Sequence, residues 1–381
     1  MTENMTAEER VRRAVSLQEP DRVPVILAMD SFAARQKGMS LAEFTSDYDR
    51  ARDTIIEVWK GFGADGVLAP SPATPFLFTL LWGTRVKVPG KEFPDQWLWQ
   101  LDESQPFMQV EDYDLVVQKG FNHFLVTLGC RILQMSPGDV VGRLQWHVEK
   151  SAEDVRKWRE AGAFVLCASA APMPFDSFSG ARTFHQFILD LYRYPDKVQA
   201  AIEASVPDVV ESAKLAVKVT GIPGVFLGAT RACGGLVNLK IFERFFLPSL
   251  KQVVEALVAD GITPLLHFDQ DWTKNLPYFR DLPRAKCILH LDGFTDIFKA
   301  KEILGDHMCL KGDVHPTMLV LGSMEEVEDY TRQLIDRVGR GGGFILSQGC
   351  DIPPDARPEN VRAMVETART YGVYGRNGGG D

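Results

Sequence analysis

Asp21-Arg-Val-Pro-Val-Ile-Leu-Ala-Met-Asp30 is a short apolar run, rich in β-branched residues, that ends on a carboxylate. A run of this length bounded by polar residues suits a parallel strand buried on both faces. Upstream, Thr6-Ala-Glu-Glu9 has the spacing of a capping box, in which hydroxyl and carboxylate each satisfy a free amide, so a helix is expected through about Leu17. Downstream the alternation of apolar run and helical pattern recurs. It places further strands at Gly66 to Pro70, Phe164 to Ser169, Gly224 to Ala229, Pro264 to Phe268, Cys287 to Leu291, Met308 to Lys311 and Phe344 to Ser347. The clearest helical period runs from Pro195 to Val219, where Val198, Ala201, Ile202, Val209 and Ala213 share a face. Pro207 inside it predicts a kink or a break. Ser323-Met-Glu-Glu326 caps another helix, to about Val338. Eight such units imply an α/β fold with a parallel sheet closed into a (β/α)8 TIM-type barrel, an open doubly wound sheet being the main rival.

The rhythm breaks between about Phe76 and Ser151, where Leu81-Trp-Gly-Thr-Arg-Val-Lys-Val-Pro-Gly90 and Gln96-Trp-Leu-Trp-Gln-Leu101 alternate with period two. This predicts an inserted antiparallel hairpin and lid over the C-terminal mouth, with residues 1–381 forming a single barrel domain. Its aromatics are mostly core, but Trp82 and Trp97 are candidates to wall an apolar substrate pocket.

Composition narrows the function. A chain that is 45% hydrophobic and 24% charged has the balance of a folded globular protein. A net charge of −9 with no long basic block argues against a nucleic-acid partner. No stretch approaches the roughly 18 apolar residues of a membrane span. The six cysteines are widely spaced, with no CxxC pair and no secretory signal ahead of them, which fits reduced thiols in a cytoplasmic protein.

At or just beyond the C-terminal ends of these strands stand Asp30, Ser71, Asp176, Arg231, His267 with Asp269 and Asp271, Asp292, Asp313 and Cys350. A barrel gathers these into one mouth. The sharpest local signal is Leu266-His-Phe-Asp-Gln-Asp-Trp272. In an extended chain His267 and Asp269 point the same way, and imidazole, carboxylate and the Cys350 thiolate are all zinc ligands. Taken alone, a His-x-Asp is more often structural than metal-binding. Two other motifs fail: Asp313-Val-His315 has Met at position 318 where a cobalt-binding Asp-x-His-x-x-Gly loop needs glycine, and Gly341, Gly342 and Gly343 lack the strand-first order of a phosphate loop.

Three stretches resemble a known family. Glu9-Arg-Val-Arg-Arg-Ala-Val-Ser-Leu-Gln-Glu-Pro-Asp-Arg-Val-Pro24 is similar to the opening of uroporphyrinogen decarboxylase and its relatives. Gly343-Phe-Ile-Leu-Ser-Gln-Gly-Cys-Asp-Ile-Pro-Pro-Asp355, together with Pro358-Glu-Asn-Val-Arg-Ala-Met364, is similar to that superfamily's closing strand and helix. Leu310-Lys-Gly-Asp-Val-His-Pro316 falls where relatives carry a Gly-Asn/Asp-x-x-Pro turn. True decarboxylases carry an Arg-Gln-Ala-Gly-Arg stretch after the first strand and an aspartate near the end of the second. Here Ala28-Met-Asp-Ser-Phe-Ala-Ala-Arg-Gln36 and Val67-Leu-Ala-Pro-Ser-Pro72 offer neither.

The corrinoid-dependent methyltransferase branch is the better match, since its members bind zinc through a His-x-Cys after a middle strand and a Cys after the last. The resemblance therefore implies His267, Asp269 and Cys350 as metal ligands, with Asp269 departing from the usual cysteine. It implies zinc-dependent transfer of a methyl group from a small methoxylated, aromatic substrate to the cobalt(I) corrinoid of a partner protein, an O-demethylation. The corrinoid comes on that separate corrinoid protein, and the assembly is left open to a homodimer. Asp30, Arg231 and Asp292 are assigned to orienting or protonating the substrate. The alternatives, in order, are a methylcorrinoid-to-thiol methyltransferase of the coenzyme M type, a uroporphyrinogen decarboxylase, and a degenerate barrel kept for binding.

Overall fold

A computed structural model describes residues 4–375. Eight parallel strands lie where the apolar runs placed them: β1 (Ile26–Leu27), β2 (Gly66–Val67), β3 (Phe164–Val165, resuming at Ala170–Pro172), β4 (Gly224–Ala229), β5 (Thr263–Phe268), β6 (Ile288–Leu291), β7 (Cys309–Val314) and β8 (Phe344–Gln348). The third strand joins two sheets. Its first segment pairs with β2 and its second with β4, and between them the Cys167 amide donates to Leu68 O and the Ala168 amide to Gly224 O. Gly224 permits this approach, because a Cβ there would lie 2.0 Å from Leu166 O. Closure comes from β8 against the start of β1, through the Val25–Leu346 bridge and the Leu346 amide donating to Pro24 O at 2.9 Å. The fold is a TIM barrel.

Alternate residues of each strand enter the lumen, and they sort by height. Low in the barrel, Ile26, Leu265, Ile288, Cys309 and Ile345 form an apolar layer packed against Val11 and Ala14 of the N-terminal helix Ala7–Val15. That helix begins with the expected capping box between Thr6 and Glu9. It is pinned by charge as well as packing. Arg10 and Arg22, both buried, converge on Asp65, with contacts of 2.5 Å from Arg10 Nη1 and 2.8 Å from Arg22 Nη1, while the Val25 amide donates to Asp65 Oδ2 at 2.8 Å.

Two expectations change. Pro207 does not break the helix Pro195–Thr220, which runs through it. Pro207 and Glu203, the residue whose carbonyl loses its partner, are both exposed, so water satisfies the freed group. The interval from 76 to 151 contains the expected antiparallel pair but is mostly helical around it. Helices Pro75–Trp82, Asp112–Lys119, Phe121–Leu133 and Pro137–Glu160 surround a small antiparallel pair, Val86–Lys87 with Gln100–Leu101. Phe121, Phe124, Leu128 and Ile132 are buried at helical spacing, which carries this segment into the core on a helix face. Among the described residues no helix is long and apolar enough to cross a membrane.

Asp65→Ala removes the carboxylate shared by two buried guanidinium groups, but Arg10 keeps Asp21 at 2.6 Å, so the loss falls toward the lower end of the about 3–5 kcal/mol for breaking a buried pair. Denaturant titration should show that loss; a change below about 1 kcal/mol would mean that the cluster is solvated like a surface pair.

Candidate active site

Above the apolar layer the lumen turns polar. His267 on β5, His290 on β6 and Lys311 on β7 lie at matched register, His267 opposite His290 and His290 opposite Lys311. His267 Nδ1 and His290 Nδ1 are 2.8 Å apart, and Lys311 Nζ lies 3.0 Å from His290 Nε2 and donates to Ser347 Oγ at 2.6 Å. Each group is charged or neutral according to what surrounds it. Burial works against a charge on His267, but the Asp269 carboxylate outweighs it and pushes the pKa up to about 10. Burial, then the charges of Lys311 and His267, hold His290 well below the ordinary range. Burial brings Lys311 down to about 7.

One layer higher, His267, Asp269 and Cys350 come together with one ligand atom each, all within 4.8 Å of one another. His267 Nε2 is 3.0 Å from Asp269 Oδ1 and 3.8 Å from Cys350 Sγ, and Thr230 Oγ1 donates to Asp269 Oδ2 at 3.2 Å. Burial opposes ionisation of Asp269, yet the adjoining His267 charge lowers its pKa. Two of the donors, Asp269 and the exposed Cys350, line a cavity of about 380 Å³, and the buried His267 contacts both from behind its wall. Asp269 and Cys350 line it together with Arg231, Asp292 and the aromatics Trp82, Trp99 and Phe294.

The other sequence candidates divide. Arg231 enters the cavity over the Trp82 ring at 5.7 Å and pairs with Glu103 of the insertion at 2.5 Å. Asp292 accepts the Gln270 amide at 2.8 Å and the Phe294 amide at 2.9 Å, and burial raises its pKa. Asp176 lies behind the wall, its Oδ1 accepting the Thr230 and Arg231 amides while its buried Oδ2 has no hydrogen-bond partner. Asp30 starts the helix Asp30–Gln36 and does not line the cavity. It accepts the Ala73 amide at 2.7 Å and shares its surroundings with Asp351, whose Oδ1 accepts the Asp30 amide. Trp97 is 48% exposed, stacked on Phe93 outside the cavity. Trp99 takes the expected place, on the same side as Leu101 two residues on, whereas Trp97 sits in a bend ahead of the strand Gln100–Leu101 and does not follow its alternation. His290 was legible in principle: Leu289-His-Leu-Asp292 repeats the Leu-His-x-Asp of 266–269 on the next strand.

The family model described as uroporphyrinogen decarboxylase (URO-D) matches residues 132–371, more than half of the chain. The chain belongs to the URO-D family. Among its curated relatives, the uroporphyrinogen decarboxylase of Methylococcus capsulatus is 35% identical over 140 residues, covering 36% of this chain and 39% of that protein. That of Syntrophotalea carbinolica is 30% identical over 135 residues, covering 35% and 38%. The alignments thus span less than two-fifths of these relatives. A solved structure described as a methyltransferase from Methanosarcina mazei superposes with a TM-score of 0.71 at 16% identity, covering 97% of this chain and 99% of that one, a likeness of fold. Within the URO-D fold this chain brings together at the mouth three side chains, His267, Asp269 and Cys350, of types that could hold a metal ion.

Burial first, then the charge of Asp351, raises Asp30 from 3.8 to about 7, and burial raises Asp351 from 3.8 to about 6. Raised carboxyl groups bind protons more tightly folded than unfolded, so their contribution is full below the unfolded value and fades as pH rises through about 6 to 7. Asp30→Asn removes the repulsion, and urea midpoints at pH 5 and pH 8 should therefore differ less in the variant than in the wild type. An unchanged difference would show that the two carboxyls do not interact.

Proposed function

We propose that this URO-D family member is a methyltransferase. It takes a methyl group from a small methoxylated aromatic compound and passes it to the cobalt(I) corrinoid of a partner protein, as one barrel domain holding zinc on His267, Asp269 and Cys350. The observation that carries the reading is the meeting of these three donors beside an aromatic-walled cavity that Asp269 and Cys350 line. They suit a zinc ion: bonds of about 2.0–2.3 Å to N, O and S bring tetrahedral ligands to spacings like those seen, and three protein ligands leave a coordination position for substrate. An oxygen in place of a second sulfur makes the set harder, which favours an ether oxygen over a thiolate. When bound, the ion supplies Lewis acidity at the leaving oxygen.

The protein's own groups do the rest. Trp82 and Trp99 offer flat apolar walls to an aromatic ring. Arg231, fixed by Glu103 and the Trp82 face, is placed to orient a polar ring substituent. As the methyl–oxygen bond breaks, its electron pair stays on oxygen, and a proton delivered there eases departure. Asp292 suits that task, because burial keeps it protonated to a higher pH than an ordinary carboxyl group. Decarboxylation of a tetrapyrrole is the second reading, favoured by the names of the curated relatives. A cavity lined, among the described residues, by the single arginine Arg231 fits poorly with a substrate bearing many carboxylates, each of which calls for a cationic partner.

Incubation with reduced corrinoid protein and guaiacol-like compounds should shift the visible spectrum to that of methylcobalt. Methylation of coenzyme M by methylcobalamin with no response to any aryl ether would point to the thiol reaction, and carbon dioxide from uroporphyrinogen to the decarboxylase. Cys350→Ala should lose bound zinc by elemental analysis and more than about 100-fold in methyl transfer, with an unchanged melting curve. Normal metal content and rate in that variant would remove Cys350 from the site.

A further inference from the structure

Arg231 has more hydrogen-bonding capacity than the protein uses. A guanidinium carries five N–H groups in a planar fork. Nη1 donates to Ser179 Oγ at 3.3 Å and Nη2 meets Glu103 Oε1 at 2.5 Å, which leaves part of the fork to a ligand. The rest of the residue is fixed. Its backbone amide donates to Asp176 Oδ1 at 3.0 Å, and its Cζ lies 5.7 Å from the Trp82 ring centroid and 5.5 Å from that of Phe184. Only 11% of the Arg231 side chain is exposed, against 38% for its counter-ion Glu103. A buried cation is thus matched with a carboxylate that water already reaches.

Among the described residues Arg231 is the sole polar partner of the Glu103 side chain. The chain on either side of Glu103 is anchored independently. The Asp102 amide donates to Arg85 O at 2.8 Å, Asp102 Oδ2 accepts from Arg85 Nη1 at 3.3 Å, and Asp102 Oδ1 accepts from Ser104 Oγ at 2.7 Å. The Glu103 carboxylate can therefore leave Arg231 for water by side-chain rotation alone, with its loop in place. Arg231 is also the single Lys or Arg among the described residues that line the cavity, which carries the carboxyl groups of Asp269 and Asp292 besides. An anionic group on a ligand is repelled by the Asp269 charge and finds its match only at Arg231.

We propose that Glu103 stands in on Arg231 for a carboxylate of the substrate, and that the methoxylated aromatic taken up here is an aromatic acid. This rests on the reading of the cavity as the site of a methoxylated ring. At about 380 Å³ the cavity is near the lower end of small-molecule sites, about 300–1,000 Å³, a size for one substituted ring. On binding, the ring packs on Trp82 and Trp99, its carboxylate meets the Arg231 fork with both oxygens, and Glu103 turns out to solvent. One ion pair replaces another, so Arg231 is never left buried without a counter-ion. The exchange favours the acid because its carboxylate arrives on a ring that buries apolar surface, while Glu103 returns to water that already touches it. A neutral ring leaves the Glu103 pair in place and gains nothing from Arg231.

The test is binding without turnover, by isothermal calorimetry on the full-length protein, with meta- and para-methoxybenzoate against the matching methoxybenzamides, which have nearly the same shape and no charge. The better-bound acid should exceed its amide in affinity by about 10-fold or more. Glu103→Gln removes the competing charge and keeps the side chain's shape, so it should tighten the acid by about 2- to 5-fold and leave the amide unchanged. Arg231→Met should erase the preference. Equal affinity for acid and amide in the wild type, or no binding of either, overturns the proposal. So does a Glu103→Gln that binds the acid no better, since a plain strut between insertion and barrel would weaken both ligands together. The Glu103→Gln comparison decides even if Arg231→Met fails to fold. Acid bound with the stated preference, but no methylcobalt formed from it with reduced corrinoid protein, sinks the methyltransferase reading and keeps the exchange at Arg231. Methylcobalt formed from guaiacol with the same kcat/KM as from the acids keeps the methyltransferase reading and overturns the exchange.

Discussion

Side chains two residues apart on a strand point the same way, and in a closed barrel that way is into a space with no room for bulk water. Every inward polar group must therefore find its partner on a neighbouring strand, at a height set by strand register. The register that puts His267 opposite His290, and His290 opposite Lys311, makes these side chains partners before any tertiary detail is considered. The same register puts Leu265, Ile288 and Cys309 together one step lower, where the N-terminal helix seals the bottom. One step higher it brings Asp269 and Asp292 to the rim. Apolar floor, basic middle and acidic rim are a single periodicity read at three heights.

The rim alone does not make a binding site. Its aromatic and apolar walls, Trp82, Trp99 and Leu101, come from the insertion. They are held because the helix Pro75–Trp82 lies tightly on the helix Pro174–Ala181. Ser177 Oγ donates to Leu81 O at 2.8 Å, and a Cβ at Gly180 would lie 1.9 Å from Trp82 O. Arg231 then spans the two parts, its backbone amide on Asp176 below and its guanidinium on Glu103 of the insertion. The cavity's shape thus depends on contacts between segments far apart in the chain, while the donors beside it depend on strand register.

Most strands were legible because a parallel strand buried on both faces leaves a continuous apolar run, as in Gly224–Ala229. The insertion was less so. Its period-two stretches pair over only two residues on each side, and its bulk is helical, since Phe121, Phe124, Leu128 and Ile132 answer to a core on one side rather than to a cross-strand neighbour. Trp97 and Trp99 are equivalent as residue types, and only the bend at Trp97, ahead of the strand Gln100–Leu101, turns one to solvent while the other meets the cavity.

By itself the sequence determined the eight apolar runs, their parallel order and the residues that end them, because hydrophobic period and chain order are local properties. Thus His267, Asp269 and Cys350 could be named as partners from strand-end positions and from the resemblance to the URO-D superfamily. Only the tertiary structure decided which residues share a height. It alone paired Asp30 with Asp351 and put Lys311 beneath His290. Those relations are fixed by barrel closure and register, which join residues as far apart as β1 and β8 and leave no mark on either segment read alone.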